Sequence, residues 1–444
     1  MFFADIRGYC ANLDALRDFV EVLQPMLATN EVTTLKENRQ LVLALMYAMQ
    51  QADPTRFPSI SLPESQKQAL RKRVRVTGTP GKGNATVLIN ANGLGAGNVE
   101  KFFRALRDWG KGEARSRLLF NSSLISLVSS VEWFFSRVLH AYFRKYPQAA
   151  VSTEKTFSFD DLTHFGTIDE ARQYLIERRV EDILRGSFSD WIKYFRNSIK
   201  LTMTYLDPCM DMLVETCERR NLLVHNNGVT NNIYLSKVSP KLTTGLKPGT
   251  QIPVERAYLD QRITLFERCC VLLAAELWKQ LEPSEERRGS VLIDLAFEHM
   301  KQQRWTIVEG FSYFLMNDKK LPERHTMVGK MNFWLSLKRQ SRWDEVKDQV
   351  AAEDMSARDR IFQLAWFSLC EKRDDFFDLL PSAIKARDMD LERLESFPIF
   401  DEIKSDARYK TTVERIKKRS ERKRVRRAPL REQTGSDGAE PKQR

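Results

Sequence analysis

From Leu118 to Phe143 the apolar residues return every three or four positions: Leu124, Leu127, Val128, Val131, Phe134, Phe135 and Val138. That spacing is one stripe of a helix with 3.6 residues per turn, and such a stripe needs a partner surface. Leu13, Leu16, Phe19, Val20 and Leu23 keep the same period, which predicts helices over 12–52. Further helices are expected over about 169–185, 188–205, 209–224 and 258–280. The best strand is the run Ala-Thr-Val-Leu-Ile-Asn at 85–90. The expected fold is therefore mainly α, with a small β element near residues 74–90.

A chain of 444 residues carries a prior of about three domains. Its 42% hydrophobic and 10% aromatic content is enough for real cores. Composition shifts divide it into a helical segment over 1–62, closed by Asp53-Pro54 and Phe57-Pro58, and a basic, Gly-rich connection over 63–112. A helical domain follows over 113–282, then a repetitive helical region over 286–412 and a basic disordered tail over 413–444.

The net charge of +12 is concentrated: Arg415–Arg431 holds ten Lys/Arg against one Glu, leaving +3 for the rest. Such a tail suits a polyanion such as RNA, DNA or an anionic surface, and equally a merely solvated end. Lys423, Arg424, Arg426 and Arg427, with the cluster Arg71, Lys72, Arg73 and Arg75, are the candidate RNA contacts.

Six cysteines show no C-x-x-C pair, and no metal-ligand spacing is visible, so neither metal nor cofactor is expected. Unpaired thiols, no signal-peptide pattern and no apolar run approaching ~18 residues predict a soluble, cytoplasmic protein without membrane contact. Gly93, Gly95 and Gly97 follow the predicted strand and precede a helix over 99–109. That is the order of a dinucleotide-binding motif, but the spacing is G-x-G-x-G and no strand–helix series follows. A nucleotide-binding regulator is the weakest alternative.

In the carboxyl-terminal half, Gln303-Arg304-Trp305 recurs as Ser341-Arg342-Trp343, and Lys372-Arg373-Asp374 takes a similar place. The arginines lie 38 and 31 residues apart, bracketing the 34-residue period of helix–turn–helix repeats. This region resembles degenerate tetratricopeptide repeats, closed by the segment 400–409. Stacked helix pairs would leave a concave surface for a protein partner.

The segment Glu218-Arg219-Arg220-Asn221-Leu222-Leu223-Val224-His225-Asn226-Asn227-Gly228 carries the chemistry. His titrates near neutral pH and transfers protons. The Arg guanidinium is a permanent, planar fork for phosphate. Asn221 and His225 are four apart and share a helix face, as does Glu218. Arg220 lies about 140° from His225 on an ideal helix, so the two meet only if the helix end unwinds or the Arg side chain bends back. The plainer reading is a polar helix end whose His satisfies the last carbonyls.

Arg220, Asn221 and His225 form R-N-x-x-x-H, and on these residues 113–282 resembles the HEPN superfamily of helical bundles. The helix pair around 176–188 supports the likeness. The resemblance implies a homodimer with two facing motifs and a metal-independent endoribonuclease, in toxin or antiviral defence or RNA processing. The RNA 2′-hydroxyl would be the nucleophile. Arg220, Asn221 and His225 would be catalytic, with Glu218, Arg219 and Asn226 in support. A non-catalytic HEPN dimerisation scaffold, binding RNA or a protein, is the alternative.

Overall fold

The computed structural model describes residues 2–37, 47, 50–51, 64–77, 86–89, 95–150 and 165–427. The fold is mainly helical and divides into two units, Met1–Leu277 and Trp278–Arg444.

In the first unit, α1 (Phe2–Glu37) begins ten residues before the predicted start. Its buried stripe is Phe2, Ile6, Tyr9, Leu13 and Val20, and Tyr9 stacks on Phe134 with ring centroids 4.4 Å apart. Most of residues 38–62, including the Pro54 and Pro58 stops, lie outside the described residues. Next come α2 (Glu64–Arg73) and the strands β1 (Val74–Thr77) and β2 (Thr86–Ile89), paired antiparallel with Val74 opposite Ile89. Among the described residues this ribbon is the whole sheet, and it lacks the parallel strands of a dinucleotide fold. Gly95 and Gly97 start the next helix, while Gly93 lies outside the described residues.

That helix, α3 (Gly95–Lys145), is continuous for 51 residues and merges the two helices expected over 99–109 and 118–143. The boundary expected at 112/113 falls inside it. Leu124, Leu127, Val128, Val131, Phe134 and Phe135 are at most 1% exposed, so α3 is the spine of the unit. Its segment Arg115–Lys145 is long and apolar enough to cross a membrane by length and composition, with a mean hydropathy of 1.4 over 18 residues, a property that a buried core helix shares.

Against the spine pack α4 (Ile168–Leu184), α5 (Phe188–Asn197) and α6 (Met210–Asn226); α7 (Asn232–Lys237) and α8 (Pro240–Thr243) lie against α6, and α9 (Arg256–Leu281) follows. A capping box of Ser187 and Asp190 starts α5. The helix expected over 188–205 stops early, at Asn197. Lys200 and Met203 adopt left-handed φ of 68° and 50°, and the Glu276 carboxylate of α9 accepts the N–H groups of Thr202 (2.7 Å) and Met203 (3.3 Å). A carboxylate 73 residues away thus replaces the helix's own carbonyls.

In the second unit, helices pair as hairpins: α10 (Arg287–Lys301) with α11 (Trp305–Asn317), α12 (Glu323–Arg339) with the short α13 (Lys347–Ala351), and α14 (Arg360–Leu369) with α15 (Arg373–Ala386). Every turn is built alike. Gln303, Ser341 and Glu371 take left-handed φ of 57–59°, and the next N–H donates to a carbonyl five residues back at 2.9 Å: Arg304 to His299, Arg342 to Leu337, Lys372 to Phe367. The repeat is therefore real as a helical hairpin, and the third copy aligns on Lys372, one residue before the expected Arg373. After α16 (Leu391–Ser396), α17 (Ala407–Arg427) carries the basic run as helix through Arg427, where a disordered tail was expected from 413. Residues 428–444 lie outside the described residues.

Candidate functional site

The site is built on α6. Its middle is anchored by Glu215, 1% exposed, which lies in a ring of donors. Tyr234 and Tyr258 donate their hydroxyls at 2.9 and 2.7 Å, Arg219 Nε donates at 2.6 Å and Arg262 at 3.5 Å. Burial pushes both tyrosine hydroxyls above their ordinary range, so they stay protonated donors. Arg219 also stacks over the Tyr258 ring, 4.1 Å from its centroid, and donates to the Pro253 carbonyl at 3.2 Å. The guanidinium expected in reserve for phosphate is thus committed to the core.

The carboxyl end of α6 closes on a sharp stop. Asn227 adopts φ 49° and Gly228 φ 78°, and Gly228 N–H donates back to the Leu222 carbonyl at 3.2 Å. A Cβ on Gly228 would lie 2.8 Å from Gln251 Nε2, which donates to the Asn227 carbonyl at 2.9 Å. Asn226 donates to the Val229 carbonyl and ties the turn. The helix holds through Asn226, and the unwinding at His225 that would bring Arg220 round does not occur.

The predicted residues therefore separate. Arg220 points to α3 and pairs with Glu132, both partly exposed. Glu218 is 8% exposed and accepts from Lys237 Nζ of α7 at 3.4 Å. Asn221 is half-buried. His225, in the last turn, is exposed and makes no hydrogen bond or ion pair among the described residues. Its neighbour Val224 is 52% exposed, and Trp133, next to Glu132, is 40% exposed. Glu132, Lys237 and Tyr258 carried no sequence signal, since each meets the motif only through tertiary packing, whereas Glu215 stands four residues before Arg219 on the same helix, a spacing the sequence displays.

Of the basic candidates, Arg71 pairs with Glu64 at 3.4 Å and donates to the Tyr47 hydroxyl at 3.3 Å, while Lys72 is exposed. Arg73 ends α2 and Arg75 stands opposite Leu88 in the ribbon. Lys423, Arg424, Arg426 and Arg427 lie on α17. Among the described residues no three His, Cys, Asp or Glu side chains group as metal ligands. The second unit has its own groove of about 480 Å³, floored by Ile293, Phe297, Phe362 and Phe400 with Arg324 and Arg393 on its lining.

Comparison with protein-family models, curated proteins and solved structures finds no match to this chain.

Proposed function

We propose that the first unit is a HEPN-like bundle acting as a metal-independent endoribonuclease, its site completed by a second copy. The observation that carries this reading is His225: an imidazole on the last turn of α6, exposed and unengaged among the described residues, one turn beyond Asn221. On this reading it transfers a proton to or from an RNA 2′-hydroxyl or leaving oxygen. One imidazole does not readily serve as base and acid in the same step, and Arg220 diverges from it on a closed helix. Two facing motifs answer both needs. The exposed Val224 and Trp133 support a protein–protein contact there. Arg220 would neutralise charge developing on the phosphate, the term that most often dominates such catalysis.

On this reading the protein is cytoplasmic and takes RNA as substrate. The basic segments of α17 and α2 recruit the RNA, and the tetratricopeptide-like second unit holds a protein partner in its groove. The test is RNA cleavage by purified protein in EDTA. Products ending in 2′,3′-cyclic phosphate, resistance of a substrate with a 2′-deoxy nucleotide at the scissile position, and loss of turnover in His225→Ala with dimerisation intact are the expected results. Equal cleavage by His225→Ala overturns it. The Arg220–Glu132 pair favours one rival, a non-catalytic dimerisation scaffold, because it already neutralises the guanidinium. For that protein, self-association without cleavage is expected.

A further inference from the structure

At its amino end α6 starts from Cys209, whose side chain caps no backbone N–H. Its Sγ lies 3.6 Å from Cys269 Sγ on α9, and 3.3 Å from the Leu206 carbonyl. Two thiols from elements 60 residues apart in sequence therefore touch, sulfur against sulfur. We propose that Cys209 and Cys269 are an oxidisable dithiol that, on reaction with a small peroxide, closes into a disulfide stapling the start of α6 to α9.

Three features of the surroundings favour that chemistry. First, the sulfur–sulfur contact acts on both groups: hydrogen bonding with Cys269 lowers the Cys209 pKa, while the same bond and burial raise that of Cys269. Arg268 adds positive charge beside both sulfurs, and the 17-residue α6 directs the positive end of its dipole at Cys209. Second, the pair is buried, at 3% exposure each, but Asp207 and Pro208 beside it are exposed. This suits a small oxidant and excludes a bulky disulfide. Third, Cys209 and Cys269 are the thiols whose sulfurs are in hydrogen-bonding contact among the described residues, and the others have other neighbours. Cys270 points to Tyr9, Cys10 lies beside Glu267, Cys217 is buried near Arg220, and Cys370 belongs to the second unit.

The step balances as follows. The Cys209 thiolate attacks one peroxide oxygen, the O–O bond breaks, and hydroxide leaves to be protonated as water, giving a sulfenic acid. Cys269 sulfur then attacks Cys209 Sγ. The S–S bond forms, the S–O bond breaks, and the second hydroxide leaves with the proton from Cys269 as water. Two thiols and one hydrogen peroxide yield one disulfide and two waters. The sulfurs must close from 3.6 Å to about 2.05 Å.

The test uses the full chain. Protein is treated with hydrogen peroxide under native conditions, quenched, denatured and alkylated with N-ethylmaleimide, then digested without reductant. Reduced protein should take up six alkyl groups and oxidised protein four, with one linked peptide pair joining Cys209 to Cys269. The oxidised form should also unfold at a higher urea concentration, because the bond closes a long loop of the unfolded chain, and reductant should reverse the shift. Cys209→Ser and Cys269→Ser should each abolish the linked peptide, and Cys270→Ser should leave it. Six alkyl groups after peroxide, a mixture of linked pairs, or an unchanged urea midpoint in linked wild-type protein overturns the proposal without relying on any variant.

Discussion

Arg219 and Arg220 are adjacent and chemically identical, yet they belong to different worlds. Arg219 is 15% exposed and feeds the buried Glu215, whereas Arg220 meets a partly exposed Glu132. Arg219→Ala leaves Glu215 the two tyrosine hydroxyls and the more distant Arg262, so it should cost the first unit about 1.5–3 kcal/mol in urea, the range of a hydrogen bond to a charged group, and Arg220→Ala about 1 kcal/mol or less. Equal losses would place Arg220 in the scaffold. A second outcome concerns Glu132. If Arg220 serves phosphate, Glu132→Gln frees the guanidinium and should tighten RNA binding, by about twofold to fivefold for a pair of this exposure. Filter binding at fixed salt measures it, and weaker binding would count against Arg220 as an RNA contact. The motif itself was legible because Arg, Asn and His sit within six residues ending at Asn-Asn-Gly. Glu132 was not, since 88 residues separate it from Arg220 and only the packing of α3 on α6 joins them.

At the scale of elements, periodicity found the helices and misjudged their ends. The break after Asn197 has no Gly or Pro to announce it, because Glu276 of α9 supplies the acceptors. The hairpin turns were visible as Q-R-W and S-R-W, but the third was set one residue late. Its left-handed position holds Glu371, and nothing in a Glu signals positive φ. These three turns carry a stability prediction. A non-Gly residue in the left-handed region costs roughly 1–2 kcal/mol, and Gly returns about 0.5–1 kcal/mol of that as unfolded-chain entropy. Ser341→Gly should then stabilise the second unit by about 0.5 kcal/mol, seen as a higher urea midpoint. Destabilisation instead would show that the Ser341 side chain contributes more than its backbone costs.

The second unit carries an acid-sensitive contact. There Asp318 is 0% exposed; burial opposes its ionisation, but the hydrogen bonds from Arg288 (2.8 Å) and Lys279 (3.2 Å) prevail and hold the carboxyl below its ordinary value. A carboxyl depressed on folding stabilises at pH values above the unfolded pKa of about 3.9 and loses that contribution as pH falls through the folded value. Arg288 also donates to the Glu282 and Pro283 carbonyls, so the turn before α10 depends on it. Acid titration followed by circular dichroism should destabilise the second unit below about pH 4, and Asp318→Asn should flatten that limb while lowering stability at neutral pH. An unchanged limb would assign the acid sensitivity to other carboxylates.

Across the whole molecule the charge asymmetry now has a shape. Val413 is 8% exposed and Lys417 pairs with Glu395 at 3.3 Å, so the first turns of α17 belong to the folded second unit. Residues 419–431 add seven Lys/Arg and one Glu beyond those contacts. Cations on single-stranded RNA release counterions and give a slope of about −0.7 in log affinity against log salt for each phosphate neutralised. If half of the seven engage, deleting 419–444 should flatten the slope by about 2–3 and weaken binding most at low salt. A cut after residue 418 keeps Val413 and Lys417, so thermal stability should be unchanged, which separates loss of RNA contact from loss of fold. Residues 1–418 keep a net charge of +7, so residual binding should keep a reduced slope rather than none. A slope that survives the deletion intact would move the RNA path away from α17, to the basic cluster that includes the exposed Lys72, and the Lys72→Ala protein would then be the one to lose it.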